Sequence, residues 1–263
     1  MTDLTKYGPW ALVVGGSEGV GSAFARRLAE DGFGVVLVAR NAERLDAVAD
    51  EVRARGAQVR TVPLDLLRDD AVGQLIEATA DLEIGLLVLN AGANAYGAPF
   101  VTGDLARHEE VLTLNVLRQL PLVHHFAGPM VQRKRGGIIL VGSLSGYNGS
   151  SREGVYAASK AFSRIFSEGL WVECRPDNVD VLHLVLGLTR TPAMERKGLK
   201  FDIPGVPVGE PDEVAAEGLA HLADGPVWIV DGNAETARRR SGPDRAKIVQ
   251  AAVDAVSKIV GRH

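Results

Sequence analysis

Tyr156 and Lys160 stand four residues apart in the run Tyr156-Ala-Ala-Ser-Lys160, and Ser143 lies thirteen residues upstream. Residues four apart on a helix share a face. A phenol titrates near ~10 in water and is a poor base at neutral pH. A nearby ammonium favours the phenolate and draws that value toward the working range of a general base. A serine hydroxyl arriving from a separate strand could polarise a substrate oxygen. Together the three groups could move a proton on and off an alcohol. A Tyr-x-x-x-Lys pair by itself is also what an ordinary surface helix carries, so the elements that position it decide the reading.

Trp10-Ala-Leu-Val-Val14 reads as a buried strand running into Gly15-Gly16-Ser17-Glu18-Gly19-Val20-Gly21. Val20, Phe24, Ala25 and Leu28 then fall on one helical face. A strand, a glycine-rich turn and a helix start form a cradle for phosphate. The glycines let the backbone approach the anion, and the free N–H groups and dipole of the helix start favour negative charge. A plain glycine turn is the other reading, and the strand–loop–helix context favours the cradle. The spacing is Gly-x-x-x-Gly-x-Gly, not Gly-x-Gly-x-x-Gly.

The same alternation continues along the chain. Strands are expected near 10–15, 34–39, 58–62, 85–89, 137–142, 179–185 and 226–230. Runs such as Val35-Val-Leu-Val38 and Ile138-Ile-Leu-Val141 suit strands buried on both faces. Helices are expected near 19–31, 41–55, 68–80, 104–134, 153–175 and 211–223. The fold expected is α/β: a Rossmann-like doubly wound sandwich, a seven-stranded, mostly parallel sheet with helices on both faces. Ligands of such sheets bind at the carboxyl ends of the strands, where the motif residues after strands fall. No linker interrupts the pattern, and residues 1–263 read as a single domain.

These motifs together resemble the short-chain dehydrogenase/reductase family, in the family's order over most of the chain. Gly15, Gly19 and Gly21 match its cofactor loop. Asp65 follows the third strand, Asn90-Ala91-Gly92 closes the fourth, and Asn115 sits in Leu114-Asn115-Val116. Ser143, Tyr156 and Lys160 match the catalytic triad, and Gly187 to Thr191 resembles the segment after the sixth strand, with Leu186 in place of the usual proline. The opening Lys6-Tyr-Gly-Pro-Trp10 and the Glu-Gly-Val-Gly loop look like a branch that includes bacterial hydroxysteroid dehydrogenases.

The resemblance implies reversible hydride transfer with a nicotinamide cofactor, between a secondary alcohol and a ketone. Tyr156 would carry the proton, Lys160 would hold the nicotinamide ribose and lower the tyrosine pKa, and Ser143 would place the substrate oxygen. Asn115 would hold a water that links Lys160 to solvent. Ser17, Glu18, Val20, Leu66, Thr189 and Thr191 join Gly15, Gly19, Gly21, Asp65, Asn90, Ala91, Gly92 and Gly187 in the cofactor set. Where NAD-preferring relatives place an acidic residue, eighteen positions after Gly21, this chain has Ala39 followed by Arg40. No carboxylate there repels a 2′-phosphate, and a guanidinium can pair with it. NADP(H) is therefore expected, with NAD(H) as the alternative. Ser17 and Asn41 could add hydrogen bonds, and Glu18, where NADP users often carry a basic residue, weighs against the preference.

Two segments are irregular. Residues 192–209 hold Pro192, Gly198, Pro204, Gly205, Pro207 and Gly209, with Met194, Leu199, Phe201 and Ile203 between them. They resemble a substrate-covering loop closing over an apolar ligand. An extra C-terminal helix is expected at about 244–260, after Arg238-Arg-Arg240, a run read as a solvated face. Tyr96, Phe100, Tyr147, Met194 and Phe201 suggest a mostly apolar pocket for a bulky, steroid-like or alicyclic substrate, with Asn94 and Asn148 near it. A ketoacyl reductase and a dinucleotide-binding sensor without chemistry are the alternatives. Glu18 speaks against the first, and the paired Ser143 and Tyr156 against the second.

Bulk composition fits these expectations. The net charge of −4 offers no electrostatic case for nucleic acid or a membrane surface. One cysteine, Cys174, excludes an intrachain disulfide and suits a reducing compartment, so a cytoplasmic location is expected. His124-His125 lacks a partner at ligand spacing, and no metal is expected. Apolar residues on 104–134 and 153–175, among them Leu112, Val116, Leu120, Ala158, Phe162 and Phe166, suit a homodimer or homotetramer.

Overall fold

The computed structural model describes residues 1–92, 96–202 and 204–260. Asn94 and Ile203, both expected near the pocket, lie outside the described residues. In the first half, α1 (Leu4–Tyr7) precedes β1 (Trp10–Val14), α2 (Gly19–Glu30), β2 (Gly34–Ala39), α3 (Ala42–Ala54), β3 (Val59–Pro63), α4 (Ala71–Ala78) and β4 (Ile84–Leu89). Next come α5 (Leu105–Leu112), α6 (Gln119–Gln132), β5 (Gly136–Ser143), α7 (Gly154–Cys174) and β6 (Val179–Leu186). The chain closes with β7 (Leu188–Thr189), α8 (Pro192–Arg196), β8 (Val208–Gly209), α9 (Pro211–Ala220), β9 (Val227–Ile229), α10 (Ala234–Arg240) and α11 (Arg245–Val260).

Seven strands form one sheet in the order β3-β2-β1-β4-β5-β6-β9, and every pairing in it is parallel. The order reverses between β1 and β4, and the crevice at such a switch point is where doubly wound sheets bind ligands. Val35 to Val38 and Ile138 to Leu140 are fully buried because helices cover both faces. One apolar cluster joins Phe24, Leu28, Leu45 and Val214 to one face of the sheet. A second joins Leu75, Phe126, Met130 and Cys174 to the other. Burial of this kind, at roughly 25 cal/mol per Å² of apolar surface, is what holds the two helical layers on the sheet.

The expected helix 104–134 is not continuous. Thr113–Leu117 is a π-helical turn between α5 and α6, with Arg118 N–H donating to the Thr113 carbonyl at 2.9 Å. The Asn115 side-chain amide donates to the Val111 carbonyl at 2.9 Å, the acceptor that its own backbone N–H would take in an α-helix. Pro121 has no N–H for the Leu117 carbonyl, which removes a second ladder bond. Single π turns of this kind concentrate at functional sites. Among the described residues no helix is long and apolar enough to cross a membrane.

Candidate active site

The glycine loop is held from two sides. Gly15 and Gly16 donate to the Val38 carbonyl of β2 at 2.8 and 3.1 Å. Asn90, just past β4, donates its side-chain amide to the Gly15 carbonyl at 2.8 Å, and its backbone N–H to Val14 at 2.9 Å. Ala91 N–H also reaches Val14. Gly21, in the first turn of α2, lies so close that an added Cβ would sit 1.9 Å from the Gly15 carbonyl oxygen. Only glycine permits this approach, which seats the start of α2 against the loop. Val20 is buried beside it.

Glu18 occupies the N-cap position of α2 without capping it. Its carboxylate instead accepts from Arg44 at 2.9 Å and from both terminal nitrogens of Arg196. The first N–H groups of α2 are thus left without a side-chain cap, as an anion site requires. The charge expected to weigh against a 2′-phosphate is matched by two guanidinium groups. Neither arginine drew notice in the sequence, since one lies on α3 and the other on α8, far from the loop in number. Arg40 follows β2 and is exposed, and among the described residues nothing holds its guanidinium. Asn41 uses its carboxamide oxygen to cap α3, accepting from Arg44 N–H at 2.8 Å. Ser17 is half-buried beside a cavity of about 370 Å³ that Glu18, Arg26 and Arg44 also line.

Asp65 and Leu66 follow β3. The Asp65 carboxylate accepts from Leu67 N–H at 3.0 Å, and Arg118 donates to the Leu66 carbonyl at 2.8 Å. Gln119 donates to the Ala91 carbonyl at 3.0 Å. Arg118 and Gln119 follow the π turn directly, and their tie to the strand ends was not legible without it.

Ser143 ends β5 and pairs in register with Leu186. Its hydroxyl accepts from Ser145 N–H at 3.1 Å and hydrogen-bonds the Tyr156 phenol. Tyr156 and Lys160 project from α7. Lys160 is buried, donates to the Val141 carbonyl at 3.0 Å, and sits 5.7 Å from the centre of the Tyr156 ring. Gly92, after β4, marks where the elements converge. A Cβ there would lie 2.5 Å from Asn115 Oδ1 and 3.2 Å from Lys160 Nζ. The fold thus gathers Asn90-Ala91-Gly92, Asn115, Ser143, Tyr156 and Lys160 at one edge of the sheet.

The electrostatics differ from the expectation for an isolated pair. Burial pushes the Tyr156 phenol up to about 12, with the Ser143 hydrogen bond pulling the other way. Burial also lowers Lys160 to about 8. Withdrawal from water penalises both charged forms and is the leading cause at each group, and the Glu153 carboxylate raises the phenol further. Behind the site, His183 on β6 is buried against Gly142 and held down at about 3 by burial, with Lys160 and Arg164 adding to the shift. It is therefore neutral at ordinary pH.

Gly187, Thr189 and Thr191 follow β6 as expected, and a Cβ on Gly19 would meet the Thr191 methyl at 3.0 Å. Thr191 caps α8. In the segment 192–209, expected to cover a substrate, Pro192–Arg196 forms α8, and Val208–Gly209 (β8) pairs in parallel with Leu188–Thr189 (β7), which precedes the segment. Arg190 lies over the Phe201 ring at 4.7 Å. Tyr96 stacks edge-on against the buried His108 and Phe100 packs on the same ring. The Arg238–Arg240 run is not wholly a solvated face. Arg238 and Arg239 are exposed, but Arg240 is half-buried and donates to the Leu144 carbonyl at 2.9 Å.

The profile of the short chain dehydrogenase family matches residues 9–200, which span the glycine loop, Ser143, Tyr156 and Lys160. The chain belongs to the short chain dehydrogenase family. It is an oxidoreductase of that family, which works with a nicotinamide dinucleotide. Over 247 residues it is 34% identical to the 7β-hydroxysteroid dehydrogenase of Clostridium sardiniense, covering 93% of this chain and 94% of that one. A solved structure from a study of 7β-hydroxysteroid dehydrogenase stereoselectivity superposes with a TM-score of 0.86 at 28% identity, over 95% of this chain and 99% of the other. A short-chain dehydrogenase from Sphingobium yanoikuyae in complex with NADPH gives 0.78 at 30% identity, over 95% of each chain.

Proposed function

We propose that this dehydrogenase interconverts a bulky, apolar secondary alcohol and its ketone, with NADP(H) as cofactor and NAD(H) as the alternative. The observation that carries the reading is the convergence of Ser143, Tyr156, Lys160 and Asn115 at the carboxyl ends of β4 and β5, with Lys160 Nζ 5.7 Å from the centre of the Tyr156 ring and a Cβ on Gly92 meeting both Asn115 Oδ1 and Lys160 Nζ. Tyr156, protonated below about pH 12, is the proton donor for ketone reduction, and in the reverse direction its phenolate, once the phenol proton has left, takes the alcohol proton. Ser143 holds the substrate oxygen against that phenol. Lys160 and Asn115 connect the site to solvent for reprotonation. When bound, the nicotinamide supplies the hydride chemistry, and the protein supplies orientation and electrostatics.

The residues fit a dinucleotide. The close approach of Gly21 to Gly15 and the uncapped start of α2 make room and donors for a pyrophosphate. Gly92, Lys160, Gly187, Thr189 and Thr191 would hold the nicotinamide half, and Asp65 and Leu66 the adenine. Arg40 supports NADP(H), as does the likeness to an NADPH-bound structure. The likeness to 7β-hydroxysteroid dehydrogenases supports a steroid or comparable alicyclic substrate, and Tyr147, Met194 and Phe201 supply apolar surface for one.

Consumption of NADPH with a panel of ketones tests this reading. Steroid and alicyclic ketones should be turned over best. A strict preference for small, charged hydroxy acids or their keto forms contradicts it. Leu112, Leu117, Phe162 and Ile165 expose apolar surface on the π-turn region and α7. They support a homodimer or homotetramer. Light scattering at micromolar concentration should give a multiple of the chain mass, and a monomer would overturn this part.

A further inference from the structure

The chain after β9 reaches back to the catalytic centre. Ser143 is followed at once by a tight helical turn, Leu144–Tyr147. Arg240, the last residue of α10, donates to the Leu144 carbonyl at 2.9 Å. Arg245, the first residue of α11, donates to the Tyr147 carbonyl at 2.9 Å and also to the Arg240 carbonyl. The two guanidinium groups thus grip the first and last carbonyls of the turn that begins at the catalytic serine. Ala237 of α10 is buried in an apolar cluster with Leu144 and Val185.

The opposite side of this turn lies on α7. A Cβ on Gly146 would sit 2.8 Å from the backbone carbon of Lys160 and 3.0 Å from Ala161 N. The turn is therefore wedged between the helix that bears Tyr156 and Lys160 and the arginines of the C-terminal segment. Any displacement of it moves the Ser143 hydroxyl relative to the phenol it hydrogen-bonds. A guanidinium on a carbonyl is a charge-assisted, directional contact, suited to fixing a backbone group in place.

We propose that Arg240, seconded by Arg245, is a positioning residue: through the Leu144–Tyr147 turn it sets Ser143 against Tyr156. This rests on the assignment of Ser143 and Tyr156 to the proton transfer. The C-terminal segment is then part of the catalytic scaffold, acting through the two carbonyls that Arg240 and Arg245 hold.

The test compares Arg240→Met, Arg240→Lys and Arg245→Met with Arg238→Met, a change at an exposed neighbour. We expect kcat for Arg240→Met to fall about 10- to 100-fold, the scale of a small misplacement of reacting groups. The Kd for NADPH and the melting temperature should change little. Because the Ser143 hydrogen bond lowers the Tyr156 pKa, its weakening should move the phenol's inflection in the kcat–pH profile upward. Arg240→Lys should restore part of the rate. Arg245→Met, at an exposed position, should shift the profile the same way with a smaller rate loss, and Arg238→Met should match the wild type. An unchanged kcat and profile in Arg240→Met overturns the proposal. So does a rate loss matched by equal losses in melting temperature and cofactor affinity, with Arg245→Met unaffected. If Ser143→Ala itself retains wild-type turnover, the fault lies with the catalytic assignment and not with the clamp.

Discussion

Gly21→Ala offers a sharp probe of the glycine loop. The new Cβ would lie 1.9 Å from the Gly15 carbonyl oxygen and 2.7 Å from the Asn90 amide nitrogen. The first distance is about 1 Å below the closest approach a Cβ makes to other atoms. Its nearest obstacle is backbone, so no rotamer change relieves it. The start of α2 must move away from β1, or the loop must open. Overpacking of this kind costs about 1–3 kcal/mol, and weakening of the Asn90–Gly15 hydrogen bond adds about 1 kcal/mol. A total of about 2–4 kcal/mol lowers the Tm of a chain this size by roughly 4–16 °C. The same movement misaligns the N–H groups at the start of α2. Losing one charge-assisted hydrogen bond to the pyrophosphate should weaken cofactor binding about 10- to 100-fold. Calorimetric or fluorescence thermal melts and cofactor titration read the two effects. Gly73→Ala is the control, because a Cβ on that α4 residue meets nothing within 4 Å. It should leave the Tm unchanged or slightly raised, in keeping with the helix propensity gained. An unaltered Tm and cofactor Kd in Gly21→Ala would refute the claim that this approach builds the cofactor site.

Two further outcomes follow from the electrostatics. Ala39→Asp combined with Arg40→Ile should reverse the cofactor preference, read as kcat/KM for NADPH against NADH, and a wild-type enzyme that already favours NADH would contradict the role of Arg40. Burial holds Lys160 at about 8, against an ordinary 10.5. The unfolded chain therefore binds that proton between those values while the folded chain has lost it, so the residue makes stability rise with pH through that window. The Tm difference between wild type and Lys160→Met should grow in favour of the wild type from pH 8 to 10, and a difference independent of pH would show that Lys160 is not depressed.

Much of the fold could be read from residue order, because strands buried on both faces are uninterrupted apolar runs. Val35–Val38 and Ile138–Leu140 are such runs, and the parallel sheet follows from the helices between them. Ser143, Tyr156 and Lys160 were also legible, since a strand end and helix spacing bring them together, and Asn115 was legible only through the family motif around it. What escaped depended on contacts between segments distant in sequence. The break in the helix at 113–117 needs the Asn115 side chain to take the Val111 carbonyl, an event that apolar periodicity does not record. Glu18 looked like a bare charge beside the cofactor loop until Arg44 and Arg196 reached it from α3 and α8. Arg240 looked like one of three solvated arginines until α10 laid it against Leu144. The upward shift of Tyr156 depends on how far the phenol is withdrawn from water, which spacing alone does not give.

The most direct test of the account is turnover by Tyr156→Phe, measured with NADPH and the best ketone from the substrate panel alongside cofactor binding. The phenyl ring keeps the packing on α7 and removes only the hydroxyl that Ser143 hydrogen-bonds. Turnover should drop by at least ~10²-fold, the scale of a lost general acid–base group, while the Kd for NADPH stays close to that of the wild type. Near-wild-type turnover with intact binding would contradict the assignment of Tyr156 as the proton carrier.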